Sequence, residues 1–353
     1  MGRQIVKVGR MIPVLNIYYM LSYAYQTLRT GKYAELATMR FENTADLMSA
    51  ILIRTLNTQL RRGIRRGYVN KSAEMPTVRG KICMSESVRR MSSTRHNVVC
   101  DYDEFSVDIY PNRVLKATLN LLLHSEIPNE RLMEIRRALA VLCDVGTVDV
   151  RHVDWDFRSD RSGDDYPMMM SLCELTVKGL LQSESKGDMK VRTVFDEQRM
   201  CRLYEKFILE FYRREHPEVV AEASMVKWAL DEGLPDDLPV MQTDITLRRR
   251  DRVLIIDAKY YENNMQYRFD RPKIHSHNLY QIFTYVTNES AYGGDVSGMI
   301  LYARTDCEKQ PDSSFVINGN RITVRTLDLY CDFDEIRRQL DGIVCDFIKS
   351  GSP

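Results

Sequence analysis

Four apolar residues, Val253, Leu254, Ile255 and Ile256, run without interruption into Asp257, Ala258 and Lys259. A run this short, this apolar and rich in β-branched residues is a buried strand. Charges at the end of a buried strand are costly unless something compensates them. Strand side chains alternate, so Asp257 and Lys259 share a face. Upstream, residues 240–247 read as a second strand, and the basic stretch 248–251 between the two reads as a tight turn. A turn centred on Arg249 and Arg250 pairs residues whose numbers sum to about 500, which sets Asp244 level with residues 255–257. Asp244, Asp257 and Lys259 are therefore expected at one point.

The plainer alternative is that Asp257 and Lys259 only cap a strand and pair with each other. Asp244 at matching height weighs against it. Two carboxylates at one point repel, and one tends to protonate, unless a cation joins them. Such an oxygen-rich site suits Mg²⁺. A metal there polarises a phosphoryl oxygen and helps generate hydroxide. A lysine beside it orients water or stabilises charge building on phosphate.

The flanking sequence supplies further candidates. Residues 197–215 read as a helix with Glu210 at the border of its apolar face, beside Leu203 and Phe207; Glu205 is expected further round, toward solvent. Residues 276–288 read as a helix with Leu279, Ile282, Phe283 and Val286 on one face. Gln281 and Tyr285 form an i, i+4 pair on it. Strands at 298–303 and 322–327 and a helix at 334–348 complete an α/β order.

The first half has another character. Helices are expected at 12–28, 46–60, 112–124, 129–143 and 168–181. Tyr18, Tyr19, Tyr23 and Tyr25 recur at helical spacing, which favours core and interface positions over a stacking strip for nucleic acid. Residues 54–95 hold eleven Lys and Arg against two Glu, a formal +9 in a chain whose net charge is +1. Gly63, Gly67, Pro76 and Gly80 break that segment into turns and short strands. The polar stretches 154–165 and 183–190 read as linkers. The whole-chain charge names no partner. Eight cysteines without a CxxC pair suggest free thiols in a reducing compartment. No run approaches a membrane span, and the first residues lack a signal-peptide pattern, so a cytoplasmic protein is expected. No G-x-x-x-x-G-K-[ST] phosphate loop is present.

The ordered set of helix, strand with Asp244, strand with Asp257-Ala258-Lys259 and helix resembles the PD-(D/E)xK nuclease superfamily. QIFTY, 281–285, matches the Q-x₃-Y helix of its RecB-like branch. Thr243 stands where the superfamily often has proline. The segments IPVLNIYYMLSYAY (12–25), QLRRGIRRGY (59–68), VRGKI (78–82), LYEKFILEFYRRE (203–215), TDITL (243–247), LIIDAKYY (254–261) and HSHNLYQIFTY (275–285) resemble, in order, the McrC family, the nuclease subunits of systems that cut DNA containing modified cytosine.

That resemblance implies an α+β protein: an N-terminal mixed α/β partner-binding module over residues 1–190, then a restriction-endonuclease-like α/β nuclease domain over 191–353. It implies a McrB-like AAA+ GTPase hexamer as partner, with GTP bound by that partner and not by this chain. The substrate would be double-stranded DNA containing modified cytosine, and the cofactor Mg²⁺. Asp244, Asp257 and Lys259 carry over as catalytic residues, the two aspartates as metal ligands. Glu210 carries over as the helix carboxylate, and Gln281 and Tyr285 as supports near the metal or the DNA backbone. Within 54–95, Arg61, Arg62, Arg65, Arg66, Arg79 and Lys81 are candidates for meeting the partner.

His275, before the Q-x₃-Y helix, is either a phosphate contact or a capping and packing residue; His277 is a weaker candidate. Arg268, Arg271 and Lys273 are placed to meet DNA phosphates. Arg248, Arg249, Arg250 and Arg252 read as a solvated turn, since that turn lies away from Lys259. Two rival functions remain open at this stage: a self-sufficient repair or recombination nuclease, and a non-catalytic activator of an AAA+ ring.

Overall fold

The computed structural model describes residues 12–25, 28, 34–155, 166–185, 197–261, 266–268 and 271–349. The chain divides into two compact units, one of residues 42–194 and one that joins residues 1–41 to 195–353. This differs from the division expected between 190 and 191: the first 41 residues group with the C-terminal unit. Of the expected linkers, 156–165 and 186–190 lie outside the described residues.

The grouping has a visible cause. Helix α1 (Val14–Ala24) buries Asn16, whose amide donates to the carbonyls of Leu329 and Cys331 at 2.9 and 2.8 Å. Tyr19 stacks on Phe333 with ring centres 4.3 Å apart. Tyr23 packs against Phe207 and Phe211 and donates to Glu215 at 2.8 Å. These tyrosines are packing residues of the C-terminal unit.

Residues 42–194 form a helical body carrying a β ribbon. Helix α2 (Thr44–Arg62) is capped by Asn43, whose side chain accepts from the Asp46 amide. Strand β1 (Gly67–Met75) follows, then β2 (Lys81–Ile82), the short helix α3 (Met84–Arg89) and β3 (Val98–Ser106). β1 and β3 pair antiparallel along their full length, from Gly67 opposite Ser106 to Met75 opposite Val98. The sequence suggested only short strands and turns here, and β3 was not expected. Gly80 lies at φ +68°, and a Cβ there would collide with the backbone of Asp101 and Tyr102, so the turn into β2 demands glycine. Helices α4 (Tyr110–Leu122), α5 (Asn129–Val141) and α6 (Tyr166–Ser185) complete this unit. Ile51, Leu52, Leu115, Leu119, Ile135 and Leu172 lie in its core.

The C-terminal unit is built on a six-stranded mixed sheet. Helix α7 (Glu197–Glu215) leads into β4 (Val220–Glu222), β5 (Met225–Val226), β6 (Met241–Gln242), β7 (Ile245–Arg249) and β8 (Arg252–Lys259). The small pair β9 (Gln266–Arg268) and β10 (Arg271–Lys273) precedes α8 (Ser276–Ser290). β11 (Asp295–Ala303), β12 (Ser313–Ile317), β13 (Asn320–Leu327) and α9 (Phe333–Lys349) follow. The sheet order is β12-β13-β11-β8-β7-β4. β8, β11 and β13 are parallel; β7 is antiparallel to β8. Val253, Ile255, Ile300 and Tyr302 pack with Ile282, Tyr285 and Val286 of α8, while the alternate residues Leu254, Ile256 and Leu301 are also buried. Burial on both faces is what the unbroken apolar run announces. Gly298 lets α8 approach: a Cβ there would stand 2.7 Å from Val286.

The strand expected at 240–247 is two strands. β6 pairs with β5, the chain breaks at Thr243 and Asp244, and β7 then pairs with β8. Buried Thr243 fixes the break: its hydroxyl accepts from the Ser224 amide at 3.0 Å and shares a 2.8 Å hydrogen bond with Thr246. Among the described residues no helix is long and apolar enough to cross a membrane.

Candidate active site

The β7–β8 register pairs Ile245 with Ile256, so Asp244 comes level with Asp257 as the hairpin arithmetic required. Asp244 accepts a hydrogen bond from the Ala258 amide at 2.9 Å. The Lys259 ammonium donates to Asp257 Oδ1 at 2.7 Å and lies 3.6 Å from Asp244 Oδ2. Asp257 is 1% exposed, and its second oxygen, Oδ2, has no hydrogen-bond partner among the described residues. The three residues expected to converge do so.

Burial pushes the Asp257 carboxyl up to about 7, against the pull of the Lys259 charge and with the push of Asp244. Burial likewise raises Asp244, with Lys259 opposing. Burial acts against the Lys259 ammonium, but the charges of Asp257 and Asp244 outweigh it and hold it protonated beyond the ordinary lysine range. Two carboxylates thus share one ammonium, and the second carries the cost.

A third carboxylate makes the imbalance larger, and it is not the one expected. Glu205 feels both burial and the Asp244 charge, which raise its pKa, and its own charge reaches Asp257. Its Oε1 accepts from the Cys201 thiol at 3.1 Å. Glu210 instead pairs with Arg213 on its own helix at 2.6 Å. The structure therefore brings Glu205, and not Glu210, to the aspartates. The apolar face of α7 is too broad for a single stripe to rank its borders: Leu203, Tyr204, Phe207, Ile208, Phe211 and Tyr212 are all buried. The i, i+4 spacing of Cys201 and Glu205 was the available clue.

Gln281 donates to the Tyr285 hydroxyl at 3.0 Å, and that hydroxyl donates to the Gln242 carbonyl at 3.1 Å. The pair grips the backbone two residues before Asp244, so it supports an aspartate through the main chain. His275 occupies the N-cap position of α8 without a side-chain cap bond. Its ring lies against Tyr261 and Tyr302, at 5.2 and 6.3 Å between centres. His277 is exposed on α8. Arg268 and Arg271 face each other across the β9–β10 pair; their side chains lie outside the described set, while Lys273 is exposed. Around the turn, Arg248 pairs with Glu289 and Arg252 with Asp295, consistent with a solvated turn held by local ion pairs.

In the other unit, Arg61, Arg66, Arg79 and Lys81 are exposed. Arg65 lies over the Tyr166 ring and Arg79 over the Tyr102 ring. Arg62 ends α2, and its side chain lies outside the described set.

The residues fit a hard divalent cation. They offer carboxylate oxygens, an excess of negative charge and one buried oxygen without a partner. Among the described residues no group of three or more His, Cys, Asp or Glu forms an all-protein cage. That suits Mg²⁺, which is commonly held by one or two carboxylates together with water and substrate phosphate.

Comparison with known proteins places these features in context. The family of McrBC 5-methylcytosine restriction system components matches residues 15–303. The type IV methyl-directed restriction enzyme EcoKMcrBC of Escherichia coli K12 is 29% identical over 345 residues, covering 96% of this chain and 99% of the relative. A solved assembly of Thermococcus gammatolerans McrB AAA+ hexamers with bound McrC aligns with a TM-score of 0.50 at 18% identity, over 94% of this chain and 76% of that one. At that identity the structural likeness speaks for the fold alone.

Proposed function

The chain belongs to the family of McrBC 5-methylcytosine restriction system components, and from that membership and the geometry of its site we propose that it is the DNA-cleaving subunit of a GTP-driven complex directed at modified cytosine. The observation that carries the reading is the buried cluster of Asp244, Asp257 and Lys259 at adjoining strand ends, with Glu205 facing it. The arrangement is that of a PD-(D/E)xK nuclease. A structural ion pair would need one carboxylate for one lysine; here two carboxylates meet one lysine, and the charge of a third, Glu205, adds to theirs.

Asp244 and Asp257 would hold Mg²⁺, with Glu205 adding negative charge nearby. When bound, the ion supplies positive charge to the phosphoryl oxygen and lowers the pKa of water. Lys259, kept protonated by both aspartates, presents a hydrogen-bond donor and a fixed charge to the phosphate as negative charge builds on it. Tyr285 and Gln281 hold the backbone leading to Asp244, so that carboxylate stays in place as DNA arrives. Water oxygen bonds to phosphorus, the phosphorus–O3′ bond breaks, and O3′ takes up a proton. The products are a 5′-phosphate and a 3′-hydroxyl.

The partner in this proposal is a McrB-like AAA+ hexamer, which binds GTP; the exposed basic face of 54–95 meets it and stimulates its hydrolysis. The pairing is suggested by the name of the Thermococcus gammatolerans assembly, McrB AAA+ hexamers with bound McrC, and fits the lack of a phosphate loop in this sequence. The test mixes this chain with such a partner and assays methylated and unmethylated plasmid, with Mg²⁺, with and without GTP. Cutting of methylated DNA only with partner, GTP and Mg²⁺ together is the expected result. Cutting by this chain alone would favour a self-sufficient nuclease. Faster GTP hydrolysis with no cutting, across several DNA modifications, would favour a non-catalytic activator.

A further inference from the structure

Asn278 lies in the first turn of α8, 1% exposed, where the helix meets the apolar cluster of the sheet. Leu279 and Ile282 beside it belong to or pack on that cluster. A buried amide in such surroundings costs free energy unless its donors and acceptor are satisfied. An apolar side chain would fill the place without that cost. The amide is satisfied by two groups from different elements. It donates to the Tyr302 hydroxyl at 2.9 Å, and its oxygen accepts from the Tyr261 hydroxyl at 3.2 Å.

Both tyrosines border Lys259. Tyr302 is its direct cross-strand partner on β11, and Tyr261 follows it by two residues in the chain. The Lys259 charge lies close enough to act on the Tyr261 phenol. The rings of Tyr261, Tyr302 and His275 lie 5.2 to 6.3 Å apart, centre to centre. Burial pushes the Tyr302 phenol up to about 12, so it stays a neutral hydroxyl at working pH. A lysine has a long stem with many rotamers, and the two aspartates hold only its ammonium end. The ends of β8 and β11 flank it, and Asn278 ties both to the start of α8.

We propose that Asn278 is a positioning residue for the cleavage reaction: by clamping Tyr261 and Tyr302 together, it fixes the wall against which Lys259 is held toward the phosphate. The clamp lies on the lysine's side of the site, while Asp244 has its own support through Gln242. A buried polar hub that joins several elements specifies one arrangement where an apolar contact would tolerate several. This inference rests on the nuclease reading.

A double-mutant cycle tests it. Wild type, Asn278→Ala, Tyr302→Phe and the double variant are assayed with the McrB-type partner, GTP and Mg²⁺ on cytosine-methylated plasmid, together with melting temperature and GTP hydrolysis. Each single variant is expected to lower kcat about tenfold, since small misplacements of a reacting group cost rate steeply. KM for DNA and the partner's GTP hydrolysis stay at wild-type values, a split that general loosening of the fold would not give. The double variant is no slower than Asn278→Ala alone, because both remove one device. Wild-type kcat in either single variant, or losses that multiply in the double, overturns the proposal. Should Asn278→Ala fail to fold, Tyr261→Phe and Tyr302→Phe form the cycle with the same expected non-additivity. An inert wild type overturns the nuclease reading and this inference with it; an active wild type with undisturbed variants overturns this inference alone.

Discussion

The two units treat charge in opposite ways. In the C-terminal unit, Asp244, Asp257 and Lys259 are drawn into the end of a sheet that is buried on both faces, and burial shifts both carboxyls upward. In the 42–194 unit, charges stand on the outside of a three-stranded ribbon: Lys71 pairs with Glu104 in solvent, and Arg79 and Lys81 are exposed. The same ribbon region exposes apolar side chains, among them Tyr68, Phe105, Met84 and Val88. Buried like charges cost free energy and create reactivity toward a small ion or phosphate. Exposed charge interleaved with apolar side chains suits contact with a large partner. On the proposed reading, one region serves chemistry and the other meets a partner.

Loss of the buried charges should have the largest effect. Asp257→Ala or Lys259→Ala is expected to lower cleavage by on the order of a thousandfold, as removal of a charge-stabilising group does, while a pull-down with the partner still recovers the complex. Retained cleavage in a clean Asp257→Ala preparation would break the assignment of chemistry to the sheet unit. Next comes the choice between two glutamates on one helix. Glu205→Gln should slow cleavage about tenfold, as loss of a supporting carboxylate does, and Glu210→Gln by less than about twofold, as expected of a largely surface pair. The reverse order in a parallel rate measurement would show that α7 presents a different face during reaction.

The ribbon should answer to another assay. Arg79→Glu with Lys81→Glu is expected to weaken stimulation of the partner's GTP hydrolysis by on the order of tenfold, through like-charge repulsion at an interface, without altering the melting temperature. Unchanged stimulation would remove the ribbon from the proposed contact.

The smallest effect is one of pH. The Asp257 carboxyl is held up to about 7 in the fold and near its ordinary value, about 4, when unfolded. Ionisation therefore disfavours the folded state: the penalty is absent below about 4, grows as pH rises, and is complete above about 7. The melting temperature of the chain alone should fall modestly between pH 5 and 8. Mg²⁺ should restore more at pH 8 than at pH 6, and Asp257→Asn should flatten both trends. A melting curve that rises with pH and ignores Mg²⁺ would contradict the buried-charge picture.

What the sequence disclosed follows the range of each interaction. The hairpin was legible because strand alternation and an antiparallel turn relate Asp244 to Asp257 by short-range arithmetic. The Q-x₃-Y pair was legible for the same reason, being one helical turn. Glu205 was not, because a helix buried over most of its girth gives no clear polar border. Asn278 reads in sequence as a polar residue near a helix start, and only its distant tyrosines give it another meaning. The β1–β3 pairing escaped because its strands are joined through a long insert with its own turns. The attachment of α1 to the C-terminal unit has no local signature at all.

That attachment bears on how the chain is made. Asn16 waits for carbonyls 313 and 315 residues further on. The ribosome delivers the whole 42–194 unit before α7 and the sheet exist, so this unit can fold while α1 still lacks its seat. The first helix thus completes its seat only when late residues of the C-terminal unit arrive. Until α7 emerges, the Tyr23 side of α1 lacks Phe207 and Phe211, and Asn16 meets its acceptors only once Leu329 and Cys331 follow.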